Sequence, residues 1–293
     1  MKSVTLRAYA KINISLDVVG KREDGYHLLR SVFQGISLYD DIQVVRDGGE
    51  QGITITCNLP YIPTDERNIV YKVALAFFKE AGITDYSVSI DLKKNIPSGA
   101  GLGGGSADGA AVFSALCRLY NVSFPTQKAT EILTPLGADI PFFLHSGTML
   151  AEGVGEILSP LPPLKDCHIV LAKPRAGANT KAIFTALAET GIPAHPDTDG
   201  VIEGLKNQDL SLIAKSAGNV LENVTIPLCP PIQRLKETLQ QQGATLALMT
   251  GSGSTVFGIF EDEKAARNAA RILRKYTQNV YTVRPVCRPM RTE

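Results

Sequence analysis

Hydrophobic and polar residues alternate in short runs over the first part of the chain, and this spacing predicts β-strands. The spacing becomes helical over residues 68–81, where Val70, Val73 and Phe77 fall on one face and Gly82 is a typical terminator. We predict strands at residues 3–10, 14–19, 41–46, 53–57, 87–92, 148–151, 169–173, 246–249, 255–260 and 280–283. We predict helices at residues 68–81, 106–120, 180–189, 202–216, 232–242 and 261–275.

Strands come in groups and are followed by helices, an order typical of an α+β fold rather than a doubly wound parallel sheet. The proline-rich stretch at residues 158–165 is the best candidate boundary, so we expect domains at residues 1–158 and 159–293. We also predict turns at residues 24–25 and 47–49, a helical or irregular segment at 137–145 and a weakly ordered loop at 191–200.

Composition narrows the class of protein. The 293 residues include 30 Lys and Arg against 29 Asp and Glu, a net charge of +1 that argues against binding nucleic acid or membranes by bulk charge. Five cysteines without CxxC spacing make a disulfide framework or zinc site unexpected. No signal peptide or membrane span is visible, so we expect a cytoplasmic protein.

The clearest chemistry lies in a glycine-rich loop that follows a predicted strand and leads into a predicted helix. Glycines let backbone N–H groups converge without obstruction by Cβ atoms. The helix N-terminus adds unpaired donors and a positive dipole end, so the loop is a candidate cradle for polyphosphate. Ser106 either caps the helix or donates to phosphate. The loop comprises Pro97, Ser98, Gly99, Ala100, Gly101, Leu102, Gly103, Gly104, Gly105, Ser106 and Ala107.

Glycine content alone does not identify a ligand, and a tight turn that binds nothing is the alternative interpretation of this loop. The chain's one Gly-Lys pair, Gly20-Lys21, does not complete a P-loop motif. The loop matches GxGxxG, but no early βαβ unit frames it as in dinucleotide sites. A second stretch, Gly-Ser-Gly-Ser at residues 251–254, is either a hairpin turn or another ligand-facing loop.

Three other segments hold polar residues in apolar surroundings. Lys11 and Asn13 share one side of a predicted strand, which is either an exposed face or the wall of a site. Tyr26 and His27 follow a turn and either stack on a planar base or have a structural role. Asp139 lies in an apolar, proline-bent segment, where it either pairs with a cation or caps a helix.

These segments, in this order and spacing, resemble the GHMP kinase superfamily. The motifs are Ala-Lys-Ile-Asn at residues 10–13, Asp-Gly-Tyr-His at 24–27, the glycine-rich loop, Gly-Ala-Asp-Ile-Pro-Phe at 137–142 and Gly-Ser-Gly-Ser at 251–254. Together they are similar to the branch that phosphorylates the 2-hydroxyl of a methylerythritol carrying cytidine diphosphate, in non-mevalonate isoprenoid biosynthesis. The resemblance implies an S5-like, ATP-binding N-terminal domain and a ferredoxin-like, substrate-side C-terminal domain.

The resemblance also implies roles for individual residues. Asp139 is the expected base and Lys11 its partner, while the glycine-rich loop, Lys94 and Asn68 are expected to bind ATP. The expected substrate-binding residues are Asn13, Tyr26, His27, Thr180 and Phe184. Gly109 stands where the family often has alanine; glycine there weakens the helix by about 1 kcal/mol but removes no phosphate donor.

The expected reaction uses ATP with Mg²⁺, although the sequence offers no dedicated carboxylate cage for a metal. We expect the partner to be a small-molecule substrate, and we expect no binding to nucleic acid or membranes. The chain is expected to be a monomer or weak homodimer. A kinase of the same superfamily acting on homoserine or a sugar remains an alternative. A non-catalytic nucleotide-binding regulator is disfavoured by Lys11 and Asp139, and an RNA-binding module by the balanced charge.

Overall fold

The computed structural model describes residues 2–46, 51–145, 147–164 and 166–286, so the turn predicted at residues 47–49 lies outside the described residues. Its strands are β1 (Lys2–Lys21), β2 (His27–Arg46), β3 (Gly52–Cys57), β4 (Ser87–Lys93), β5 (Thr148–Glu152), β6 (Ile157–Pro160), β7 (His168–Lys173), β8 (Leu246–Met249), β9 (Val256–Phe260) and β10 (Asn279–Val283). Its helices are α1 (Ile69–Ala81), α2 (Gly104–Tyr120), α3 (Thr126–Leu133), α4 (Ile140–His145), α5 (Thr180–Thr190), α6 (Thr198–Asn207), α7 (Leu210–Ser216), α8 (Glu222–Leu228), α9 (Pro231–Gln241) and α10 (Glu263–Leu273).

The first sheet is built on the long strands β1 and β2, which pair antiparallel along their whole lengths. β4 and β5 pair with successive parts of β2, β3 lies parallel to β4, and β6 pairs with β5. Helix α1 connects β3 to β4, because parallel neighbours need a crossover connection. Apolar residues of α1, α2 and α4 share one core with this sheet.

The second sheet has the strand order β10-β7-β9-β8, with every pair antiparallel. Helices α5, α8, α9 and α10 contribute to a core on it, while α6 and α7 contribute to a core shared with β1 and β2. Strand β1 also reaches the second half of the chain through a bridge between Leu16 and Asn219. The expected α+β class is therefore confirmed. Most predicted strands are observed, but β2 begins at His27 rather than at residue 41, and β6 was not predicted.

Local sequence explains the helix that follows β3. Asn68 caps α1 by accepting a hydrogen bond from the backbone N–H of Val70, and Gly82 ends the helix with φ at 66°, in the left-handed region. The buried face of α1 holds the apolar residues that helical spacing predicts, including Val73 and Phe77.

Several predicted boundaries were wrong. The two strands predicted at residues 3–10 and 14–19 form one strand, since bulges in β1 shift its register without breaking the pairing. β6 overlaps the start of the stretch predicted as a boundary, and the domain division at 158/159 stays a prediction. The loop predicted to run to residue 200 ends earlier, because Asp197 caps α6. The helix predicted at 202–216 is interrupted at Gln208, whose φ is 55°. Helices α3 and α8 were missed because both are short and because α8 contains Pro227, a residue that usually argues against a helix.

Candidate active site

Nine of the predicted site residues line one cavity of about 890 Å³. Those on its wall are Lys11, Asn13, Tyr26, His27, Gly101, Gly103, Asp139, Thr180 and Phe184. A second cavity of about 420 Å³ is lined by Asn68, Lys94 and the loop residues 97–106. Gly101 and Gly103 line both cavities, so the glycine-rich loop borders both, whereas Ala107 is buried in α2 and lines neither.

The glycine-rich loop has left-handed backbone at alternate positions, with φ of 59° at Gly99, 74° at Gly101 and 71° at Gly103. Such angles favour glycine, because other residues bring Cβ against a carbonyl oxygen. Helix α2 starts at Gly104 with Gly103 as its N-cap, and no side chain caps it. The interpretation of Ser106 as a cap is therefore wrong, and the first amides of α2 have no capping side chain, as an anion cradle requires.

Close packing also requires two of these glycines. A Cβ atom on Gly103 would lie 2.6 Å from Cζ of Phe143 and 3.3 Å from Cγ of Lys11. A Cβ atom on Gly101 would overlap the carbonyl oxygen of Thr250. The loop is thus held between α4, β1 and the connection that follows β8.

Lys11 and Asp139 form an ion pair on the wall of the larger cavity, with 3.3 Å between Nζ and the carboxylate. Lys11 is only 4% exposed, and its ammonium lies 4.5 Å from the centre of the Phe33 ring. The interpretation of this strand side as an ordinary exposed face is therefore wrong. The pairing satisfies the expectation that Asp139, in an apolar segment, needs a cationic partner.

Asn13 is 1% exposed, and its side chain is bonded within the protein. Its Oδ1 accepts from Nζ of Lys11 at 2.8 Å and from the backbone N–H of Gly251 at 2.9 Å. Its Nδ2 donates to Oγ of Ser31 at 2.9 Å, and its backbone N–H donates to Oγ1 of Thr250 at 3.0 Å. Asn13 therefore orients Lys11 and joins β1 to the connection after β8; a direct substrate contact by Asn13 stays a prediction.

The Gly-Ser-Gly-Ser stretch connects the antiparallel strands β8 and β9, so the hairpin interpretation is confirmed. Gly251 and Ser252 also line the larger cavity, and contact of this loop with a ligand stays a prediction. Oγ of Ser252 lies 2.7 Å from Oγ1 of Thr180, at the start of α5. Sequence reasoning missed Asn219, whose Nδ2 donates to the carbonyl oxygens of Met249 and Gly251 at 2.8 Å each. Asn219 gives no signal in the sequence, because its bonds span a long stretch of chain.

Three aromatic side chains, those of Tyr26, His27 and Phe184, also line the larger cavity. The rings of His27 and Phe184 stack with centroids 4.9 Å apart at 27°. Tyr26 is 63% exposed beside them. Partial burial and the nearby positive charge of Lys21 lower the pKa of His27, which keeps the imidazole neutral at pH 7. A neutral imidazole stacked on a phenyl ring suits a planar, uncharged base.

Lys94 belongs to a buried cluster that the sequence analysis missed. Its ammonium donates to the carboxylates of both Asp40 and Asp108. Asp40 also accepts the backbone N–H groups of Asn95 and Ile96, at 2.5 and 2.8 Å, and so fixes the chain before the glycine-rich loop. Burial, which outweighs the attraction of Lys94, raises the pKa of Asp108 to about 8. The sequence did contain one sign of this cluster, since Asp108 lies in a helix whose other residues are mostly apolar.

Asn68 likewise has partners within the protein. Besides capping α1 at 3.1 Å, it donates from Nδ2 to the carbonyl oxygen of Pro63 at 2.6 Å. Asn68 and Lys94 both line the smaller cavity, so each stays a predicted nucleotide contact with an observed structural role.

The described residues contain no group of three or more His, Cys, Asp or Glu side chains able to hold a metal ion. Within the same part of the chain, no helix has the length and apolarity needed to cross a membrane. Cys57, Cys117, Cys167 and Cys229 are free thiols, and Cys287 lies outside the described residues.

Comparison with known proteins identifies relatives for both halves of the chain. Residues 68–147 match the GHMP kinases N terminal domain, and residues 201–279 match the GHMP kinases C terminal family. The 4-diphosphocytidyl-2-C-methyl-D-erythritol kinase of Lachnospira eligens is 43% identical, with 96% of this chain and 98% of that protein covered. The enzyme of the same name from Clostridium perfringens strain ATCC 13124 shows the same identity and coverage.

Solved structures agree with these relatives. A crystal structure of 4-(cytidine 5'-diphospho)-2C-methyl-D-erythritol kinase superposes with a TM-score of 0.80 at 32% identity, covering 96% of this chain and 98% of that one. A homoserine kinase from Cytophaga hutchinsonii superposes with a TM-score of 0.78 at 21% identity, covering 100% and 98% of the two chains. That second likeness concerns the fold alone, and the fold expected from the sequence is confirmed.

Proposed function

The chain belongs to the 4-diphosphocytidyl-2-C-methyl-D-erythritol kinases within the GHMP kinase family, and we infer that it transfers the γ-phosphoryl group of ATP to the 2-hydroxyl of that substrate. The reaction belongs to non-mevalonate isoprenoid biosynthesis. The observation that carries the proposal is the Lys11–Asp139 ion pair in a cavity that also contains Gly101 and Gly103 of the glycine-rich loop.

Asp139 is the proposed base. An alcohol is a weak nucleophile at neutral pH, and a carboxylate that accepts its proton during attack contributes typically 10²–10⁴-fold in rate. Lys11, 3.3 Å from that carboxylate, compensates its charge and stabilises negative charge on the transferred group. Asn13 holds Lys11 in place through the 2.8 Å hydrogen bond, which makes Asn13 a positioning residue in this proposal.

Backbone amides of the loop and the first turn of α2 are proposed to hold the β- and γ-phosphates, with Ser106 donating its hydroxyl. The smaller cavity, with Asn68 and Lys94 on its wall, receives the adenosine end. Because Gly101 and Gly103 border both cavities, the phosphate chain passes from the smaller cavity into the larger one beside Lys11.

Mg²⁺ is proposed to accompany ATP. It keeps several waters and is usually bound through one or two carboxylates together with substrate phosphates. Asp139 is a partly exposed carboxylate on the cavity wall, so the residues present fit a phosphate-held ion rather than an ion held by protein alone. Bound there, the ion would neutralise phosphate charge.

The other end of the larger cavity is proposed to hold the cytidine. His27 and Phe184 offer stacked rings, Tyr26 lies beside them, and Thr180 lies between this end and the loop after β8. Binding energy gained on the base aligns the distant hydroxyl with the phosphate. Free thiols fit a reducing compartment, and we place the reaction in the cytoplasm.

The test is ADP release by the purified protein with ATP, Mg²⁺ and one of three acceptors: the cytidine diphosphate substrate, homoserine or galactose. The proposal predicts turnover with the first acceptor alone. Turnover with homoserine or galactose in preference to the first would instead support the alternative of another GHMP kinase specificity.

A further inference from the structure

The larger cavity carries positive charge that its own acidic residues do not balance. Of the carboxylates on its wall, Asp139 pairs with Lys11 and Asp24 pairs with a neighbouring arginine at 2.7 Å. Lys21 and Lys181 also line the cavity. Among the described residues, neither of these two ammonium groups has a carboxylate oxygen within 4.0 Å.

Both lysines lie beside the stacked rings. Lys21 is the last residue of β1 and is the cross-strand partner of His27. Lys181 is the second residue of α5, three residues before Phe184, so it lies on the same side of the helix as that ring. The two charges therefore approach the aromatic end of the cavity from different elements.

Lys181 lies where a positive charge is unfavourable in the free protein. It is in the first turn of α5, which holds no acidic residue, and a cation there opposes the helix dipole. Partial burial and the charge of Lys21 lower the pKa of His27, so the neutral imidazole beside Lys21 offers that ammonium no negative partner. A bound anion would offset the helix dipole at Lys181 and would give Lys21 a partner.

We propose that Lys21 and Lys181 recognise the diphosphate of the substrate and set the preference for a diphosphate-linked nucleoside over an uncharged one. The inference rests on the proposed function, since it takes the base to lie at His27 and Phe184 and the reacting hydroxyl at Asp139. The diphosphate joins those two parts of the substrate and so crosses the region between them.

Binding of cytidine, CMP and CDP, each measured by calorimetry at low and high salt, tests this assignment without requiring turnover. The variants are Lys21→Met, Lys181→Met and the double variant, since methionine keeps the apolar length of lysine without its charge. Lys264→Met is the matched control, because Lys264 is exposed on α10 and lines neither cavity.

Wild-type protein is expected to bind CDP more tightly than cytidine, with an advantage that shrinks at high salt. Each single variant is expected to weaken CDP binding about fivefold, as for a partly exposed ion pair, and the double variant more. Cytidine binding should stay within about twofold in every variant, and Lys264→Met should match the wild type.

Two results would overturn the assignment. One is a double variant that keeps the wild-type preference for CDP; the other is an equal loss of cytidine and CDP binding, which would give the lysines a role in shaping the base pocket. Wild-type protein that binds neither ligand would instead contradict the cytidine-linked substrate of the proposed function.

Discussion

Replacing Gly103 by alanine tests whether the shape of the glycine-rich loop depends on this position. Gly103 has φ at 71°, and left-handed backbone costs about 1–2 kcal/mol for a residue with a Cβ. The new Cβ would also lie 2.6 Å from Cζ of Phe143, a ring that is 2% exposed and has little room to move. Overpacking of this kind costs about 1–3 kcal/mol. The sum predicts a loss of about 2–5 kcal/mol in the free energy of unfolding.

Gly105→Ala is the matched control. Its Cβ would make one ordinary contact, 3.7 Å from Cγ2 of Ile69, and Gly105 lies in α2, where alanine gains about 0.5–1 kcal/mol. Urea unfolding should therefore separate the two variants by several kcal/mol, and calorimetry should show weaker ATP binding by Gly103→Ala. Equal stability of the two variants, with unchanged ATP affinity in Gly103→Ala, would show that the loop does not depend on glycine at position 103.

Three further substitutions test other parts of the site. Asn13→Ala removes the hydrogen bonds that the Asn13 side chain makes with Lys11, Gly251, Ser31 and Thr250, so stability should fall by about 1–3 kcal/mol and kcat should fall more than KM changes; unchanged steady-state kinetics would exclude a positioning role. Phe184→Leu removes a stacking surface worth about 0.5–1.5 kcal/mol, so KM for the cytidine substrate should rise severalfold while KM for ATP stays constant; a matching rise in both would contradict a base-binding role. The free energy of unfolding of Asp108→Asn, relative to that of the wild type, should increase as the pH rises from 5 to 9. Urea unfolding of both proteins at each pH measures this difference. The folded pKa of Asp108, about 8, exceeds the value of 3.8 for an unperturbed aspartate, so the folded state binds the extra proton and wild-type stability falls with rising pH; a difference independent of pH would contradict the raised pKa.

The fold was predictable where local signals agreed. Helix α1 follows from the apolar spacing of Val70, Val73 and Phe77 between a capping asparagine and a terminating glycine. Most strands follow from short runs of β-branched residues, whereas the first part of β2 and all of β6 were missed. The break at Gln208 was not predictable, because the apolar spacing of α6 continues into α7 while the break depends on one left-handed residue and the Asp209 cap.

The site was predictable through residue types that conflict with their surroundings. Lys11 in an apolar strand and Asp139 in an apolar turn each lack a local partner in the sequence, and the structure pairs them. Asp108 in a largely apolar helix indicated a buried partner, but its pairing with Lys94 and Asp40 could not be predicted, since these residues lie in three different parts of the chain. For the loop after β8, only a glycine-rich turn could be predicted. Its contact with Gly101 depends on how the two halves of the chain pack together.

The role of Asp139 as the base is tested most directly by the single-turnover rate of phosphoryl transfer by Asp139→Asn, with ATP and the cytidine diphosphate substrate both saturating. We expect a rate at least about 10²-fold below that of the wild type, because the amide cannot accept the proton of the attacking hydroxyl. Affinities for both ligands should stay within about threefold, since Asp139 acts mainly in the transition state. A near-normal rate with both ligands bound would contradict the assignment of Asp139 as the base.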